Sequence, residues 1–76
     1  MARAEGNDET ARARYSEALA LYERIQARRN VALAHERLAG VSAGTQRDGH
    51  LAAARALWLA LGIDAYVARV DAAIKA

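Results

Sequence analysis

Apolar residues recur every three or four positions along this chain, and none of its 76 residues is Pro. One run of such residues, at spacings of four, three, four and three, is Ala11, Tyr15, Ala18, Tyr22 and Ile25. This spacing places the side chains on one face of an α-helix. Ala, Leu, Arg and Glu, the commonest residues, are strong helix formers, whereas β-branched and aromatic residues are scarce. The pattern predicts an all-α fold.

Interruptions of this pattern divide the chain into four predicted helices. They cover residues 7–27, 30–44, 49–61 and 64–75. Asn7, Asn30 and Asp64 are residue types that cap helix N-termini, and Gly62 is suited to ending the third helix. Segment 44–49 contains two Gly and no apolar residue, so we predict a loop there. Because the connections are short, neighbouring helices are expected to be antiparallel.

We expect residues 1–6 to be disordered and residues 7–76 to form a single domain. The inward-facing stripes predict a core of Tyr15, Leu19, Tyr22, Ile25, Leu38, Val41, Ala54, Trp58, Leu61, Val67 and Val70. Leu21, Leu33 and Leu59 fall off these stripes. In a monomer of this size they would be exposed, and in a helical array or a dimer they would be covered. They are therefore the predicted self-association edge.

The charge pattern argues against a nucleic-acid partner, and the length of the apolar runs argues against a membrane. The net charge is only +2, and basic and acidic residues alternate, whereas a nucleic-acid-binding protein usually collects its cations in one stripe. No apolar run approaches the roughly 18 to 20 residues that span a bilayer. The first residues contain no hydrophobic signal region. We therefore expect a cytoplasmic protein.

The sequence contains no recognisable catalytic or metal-binding pattern. There is no Cys, and the two histidines, His35 and His50, belong to different predicted helices. Neither has a second His or a carboxylate three or four residues away on a shared face. Ser16 and Ser42 have no plausible base nearby in sequence. We therefore predict no enzymatic activity, no cofactor and no metal, with His35 as a half-buried packing residue and His50 on the surface.

The chain repeats part of itself at two spacings. At a spacing of 43, Gly6, Ala11 and Tyr15 correspond to Gly49, Ala54 and Trp58. At a spacing of 36, the matched pairs are Tyr22 and Trp58, Ile25 and Leu61, Val31 and Val67, and Leu38 and Ile74. The spacings differ by seven residues, or two helical turns, so both keep the same face inward. We interpret this as a likeness between the first and third predicted helices. They begin alike, and the third helix is one heptad shorter than the first.

The repeated pattern of Gly, Ala, an aromatic residue and a small residue resembles the second helix of a tetratricopeptide repeat. Gly6, Ala11, Tyr15 and Ala18 fit it. Segment 30–44 is similar to the first helix of such a repeat. The nearest type is the repeat of roughly 40 residues found in large bacterial transcriptional regulators and signalling ATPases. The resemblance implies stacked helical pairs at the C-terminal end of an array.

The same resemblance implies that the chain binds a protein or peptide, or the rest of a longer array. In that family the first-type helices hold ligand peptides. The corresponding outward side of the second helix here would offer Arg29, Leu33, Glu36, Arg37 and Gly40. The function that the sequence predicts is thus a non-catalytic protein–protein interaction or assembly module.

Two alternatives remain at this point. The chain could be a self-contained four-helix domain for homodimerisation or docking. The segment from Leu38 to Thr45 also looks like the turn of a helix-turn-helix DNA-binding unit. Two features argue against DNA binding. Glu36 would be buried without a partner at the helix crossing, and Gly49 would interrupt the recognition helix.

Overall fold

The computed structural model describes residues 3–75 of the chain, with side-chain surroundings from Glu9 onward. This part consists of four α-helices and no strand: α1 (Arg3–Arg24), α2 (Arg28–Gly40), α3 (Gly44–Leu61) and α4 (Asp64–Lys75). The all-α, four-helix prediction is confirmed. The helices pack in chain order, α1 on α2, α2 on α3 and α3 on α4. This packing is compatible with antiparallel stacking.

Helix α1 begins and ends earlier than the sequence predicts. Arg3 to Gly6 are helical, so the expected disorder is wrong for these four residues, while Met1 and Ala2 lie outside the described part. Asn7 is inside the helix and does not cap it. The helix propensity of the residues before Asn7 outweighs the preference of Asn7 for a capping position.

Helix α2 begins at Arg28, two residues before the predicted Asn30 cap, and its N-cap residue is Ala27. Helix α3 begins at Gly44, so the predicted loop over residues 44–49 is wrong. Gly44 provides the turn with a positive φ of 61°, and the chain is helical from there. Helix α3 is therefore only slightly shorter than α1, and the expected difference of one heptad is not observed.

The turns after α1 and α3 have the same backbone structure, 36 residues apart. Gln26 and Gly62 are both left-handed, with φ of 60° and 75°. The following N–H groups, of Ala27 and Ile63, donate to carbonyls five residues back at 2.9 and 3.0 Å. Gln26 and Gly62 themselves donate three residues back, at 3.2 and 3.0 Å. Both ends are thus Schellman motifs. The sequence repeats itself at spacings of 43 and 36 residues. The backbone structure of the turns recurs at the spacing of 36.

The core lies between α2, α3 and α4. Its main cluster of buried side chains is Ala32, Ala39, Leu51, Ala54, Trp58, Val67 and Val70. Val31, Ala34 and Leu38 of α2 are also buried. Trp58 is completely buried, and its ring meets Tyr66 edge-on, with 4.7 Å between the centroids. The small residues of α2 allow the larger side chains of α3 to pack closely.

The predicted core is only partly confirmed. Five of its members are buried: Leu38, Ala54, Trp58, Val67 and Val70. Five others are half-buried: Tyr15, Leu19, Tyr22, Val41 and Leu61. Ile25 is 62% exposed because α1 ends at Arg24 and the chain leaves the helical face before Ile25. Ile74, near the end of α4, is 46% exposed.

Candidate functional site

A groove between α1 and α2 is lined by aromatic, apolar and basic side chains. Its volume is about 460 Å³, and its larger lining residues are Arg14, Tyr15, Tyr22, Asn30, Leu33 and Arg37. The small side chains of Ala18 and Ala34 also line it. Among the side chains that the structure describes, no Asp or Glu lines it. The groove therefore offers apolar area, a phenol hydroxyl group at each Tyr and two guanidinium groups to a molecule that occupies it.

Helix α1 is the least covered element of the described chain. From Glu9 to Arg24, each of its side chains is half-buried or exposed, and none is buried. Its packing partner is α2, to whose C-terminal end it is also joined by a hydrogen bond that the Arg12 guanidinium donates to the Val41 carbonyl at 2.6 Å. Tyr15 and Tyr22 are therefore covered on one side only.

Glu36 joins α2 to both α3 and α4. It accepts a hydrogen bond from the indole Nε1 of the buried Trp58 at 2.7 Å. The guanidinium of Arg69 donates to both oxygens of the same carboxylate, at 2.8 and 3.1 Å. Arg69 also lies over the Tyr66 ring, 4.4 Å from its centroid. A two-pronged arginine–carboxylate contact supported by an indole donor fixes the position of α2 on α3 and α4.

The predicted partner-binding residues do not share one face. Arg29, Arg37 and Gly40 are exposed, and Leu33 and Arg37 line the α1–α2 groove. Glu36 points instead to α3 and α4, so its place on an outward binding face is wrong. The physical reason is that the Trp58 indole needs an acceptor when it is buried. No sequence pattern indicates this pairing.

The predicted self-association edge is partly exposed. Leu21 and Leu59 are 48% and 49% exposed. Leu33 is half-buried and packs against the core cluster, so the expectation that it would be exposed in the isolated chain is wrong.

His35 and His50 lie in contact across α2 and α3, with their Nδ1 atoms 3.0 Å apart. The ring that carries a proton on Nδ1 donates it to the other ring. Burial lowers the pKa of His35 below its usual value, and the nearby His50 lowers it further, while Glu23 opposes the shift. The pair lies beside a groove of about 530 Å³ that Arg12, Ser16 and Ser42 also line.

From the sequence alone His50 is expected on the surface and unrelated to His35, whereas in the structure it is half-buried and contacts His35. His35 is half-buried, as predicted. A signal for the contact was present. His35 lies seven residues before Ser42 and His50 seven residues after Ala43, so a tight turn between two packed helices brings them to the same level. Among the described residues, no group of three or more His, Cys, Asp or Glu side chains is positioned to hold a metal ion.

None of the described helices has both the length and the apolar character needed to cross a membrane. No protein-family model matches the chain, and no characterised protein or solved structure is significantly similar to it.

Proposed function

We propose that the chain is a non-catalytic protein–protein interaction or assembly module of the tetratricopeptide-like helical-repeat type. The observation that supports this most is the incomplete burial of α1. A long helix that keeps two tyrosines and a leucine partly exposed has apolar surface that a partner would remove from water. Aromatic and arginine side chains, which line the adjacent groove, contribute most to binding energy in protein interfaces.

Site-specific photo-crosslinking in the producing cell tests this proposal. A photoreactive phenylalanine analogue would replace Leu21 or Arg14 on the α1 side, and Asp48 as the control. The Asp48 side chain is 76% exposed and lies on α3. We expect discrete protein adducts from the two α1 positions and none from Asp48. Equal adduct yields at the three positions, or no adducts, would contradict the proposal.

A homodimerisation domain is the second candidate, and the exposure of Leu21 and Leu59 favours it. Exposed leucines of this kind are what a self-complementary contact would bury. Sedimentation equilibrium over a wide concentration range tests it. A monomer that shows no concentration dependence would exclude this candidate while leaving binding to a different protein intact.

DNA binding is the third hypothesis, and both objections to it from the sequence fail. Glu36 has partners, and Gly49 lies within the continuous helix α3. The charges at the start of α3 nevertheless disfavour contact with phosphates. Arg47 donates to the Ala73 carbonyl at 2.9 Å, and Asp48 is highly exposed. Binding to duplex DNA that weakens steeply with added salt would support this hypothesis over the proposed one.

A further inference from the structure

The turns of the two helix pairs are equivalent, but among the described residues a further helix covers only one of the pairs. The first pair is α1 with α2, and the second is α3 with α4. Their turns repeat the same backbone hydrogen bonds and the same left-handed residue at a spacing of 36. The second pair is covered by α2, which packs on α3 and contacts α4 through Glu36 and Arg69. The corresponding surface of the first pair can therefore be located by subtracting 36 from the numbers of the residues that lie beneath α2.

That surface coincides with the groove between α1 and α2. Beneath α2, helix α3 presents the buried side chains Leu51, Ala54 and Trp58. Thirty-six residues earlier stand Tyr15, Ala18 and Tyr22, and all three line the groove. On the partner helices, Arg69 corresponds in the same way to Leu33, which also lines the groove. The groove thus has the position and the residue sizes of a surface that receives a helix in the second pair.

The face that α2 turns toward the second pair indicates what such a helix must carry. Ala32 and Ala39 are buried there, seven residues apart, and Glu36 lies between them on the same side. The alanines permit close approach, and the carboxylate accepts the indole hydrogen bond of Trp58. In the groove Tyr22 replaces Trp58, so a hydroxyl donor stands in place of the indole donor.

Charge in the groove also favours an acidic occupant. Arg14 and Arg37 line it, and none of the acidic residues from Glu9 to Lys75 does. A carboxylate on an occupying helix would meet these guanidinium groups and a tyrosine hydroxyl at once. Attraction of this kind adds partner selectivity and speeds association.

We propose that the α1–α2 groove binds an α-helix of a partner protein that presents two small residues seven apart with a carboxylate between them. This inference rests on the proposed interaction function and specifies the kind of partner. In a folded second copy, the matching face of α2 is already buried, and on α4 the position that corresponds to Glu36 is Ala72, which carries no charge. Helix α1 does carry the pattern, in the exposed residues Ala13, Glu17 and Ala20, so self-association is a separate outcome that the test must distinguish.

The probe for this proposal is a synthetic peptide with the sequence of residues 30–42, in which Arg37→Gln leaves Glu36 as its fixed charge. A hydrocarbon staple between positions 30 and 34, on the opposite face, holds it helical, because so short a peptide is a marginal helix in water. Binding of the fluorescently labelled peptide to the full chain is followed by fluorescence anisotropy. We expect saturable binding with one peptide per chain.

Two changes should weaken that binding at least tenfold. The first is Ala32→Leu with Ala39→Leu in the peptide, because larger side chains keep the helix away from the groove. The second is Arg14→Glu with Arg37→Glu in the protein, and a peptide carrying Glu36→Lys should recover binding to this variant. The matched control, Arg24→Glu with Arg28→Glu, reverses the charge of two exposed arginines outside the groove lining. Its affinity for the peptide should stay within about twofold of that of the unchanged protein.

Absence of peptide binding, or binding that is indifferent to both changes, overturns the helix-binding inference. If crosslinked partners still form at Leu21, the interaction function stands without it. Concentration-dependent self-association that disappears in the Arg14→Glu, Arg37→Glu variant would identify a second copy as the occupant and would also overturn the inference. If neither crosslinks nor peptide binding are found, the proposed function fails together with the inference.

Discussion

Replacing Gln26 by Gly should stabilise the protein, although Gln26 makes no core contact. Gln26 is exposed and has a φ of 60°, and it occupies the left-handed position that Gly62 occupies in the equivalent turn. A side chain in this conformation brings its Cβ atom close to the following carbonyl oxygen, at a cost of roughly 1–2 kcal/mol. Glycine removes that contact.

The expected gain is smaller than the strain because glycine also gives the unfolded chain more freedom. That entropic penalty is about 0.4–1 kcal/mol. No helix-propensity term applies, since α1 ends at Arg24 and α2 begins at Arg28. The difference leaves a net stabilisation of about 0.5–1 kcal/mol, which in a domain of this size raises the unfolding temperature by roughly 2–8 °C.

Thermal and urea unfolding, both followed by far-UV circular dichroism, measure this change. Gln46→Gly is the matched control, because Gln46 is exposed but lies in α3, and there glycine should be neutral or destabilising. Gly62→Ala should destabilise by about 1 kcal/mol, since it introduces at the second turn the strain that Gln26→Gly removes at the first. An unchanged or lowered unfolding temperature for Gln26→Gly would refute the reasoning.

Three further predictions concern the polar contacts and the exposed leucines. Glu36→Ala should cost about 1–3 kcal/mol in urea unfolding, because the buried Trp58 indole loses its acceptor, whereas Glu36→Gln should cost less. Stability should fall as the pH drops from 7.5 to 5.5, since a folded-state pKa of His35 below the unfolded value means that the unfolded chain binds more protons in this range. His35→Gln should flatten that dependence, and a flat wild-type profile would contradict the shift. The lowered pKa of His35 originates in its burial and in the contact with His50. Leu59→Ser should change the stability of a monomer by less than about 0.5 kcal/mol, because the side chain is half exposed, so a larger loss in concentrated samples would reveal a covered interface.

Local pattern was sufficient for the number of helices and for part of the core. The spacing of Ala54 and Trp58, and of Val67 and Val70, predicts their burial, because helical periodicity shows which side of a helix is apolar. Gly62 marks the end of α3 because its backbone adopts the left-handed conformation at little cost. In segment 44–49 a glycine is not a reliable sign of a break, because only Gly44 serves the turn and Gly49 lies within the helix.

Periodicity does not say which helices meet, or at what level along their axes. The contact between His35 and His50 depends on how the chain turns back between α2 and α3. The direction of Glu36 follows from the position of Trp58, a residue 22 positions away whose burial requires an acceptor. The groove between α1 and α2 exists because no described helix covers α1 there, a fact about neighbours in space that no local sequence window contains. The sequence alone thus determined the helices and their apolar sides, and the packing of those helices determined which polar groups became partners and which apolar surface stayed open.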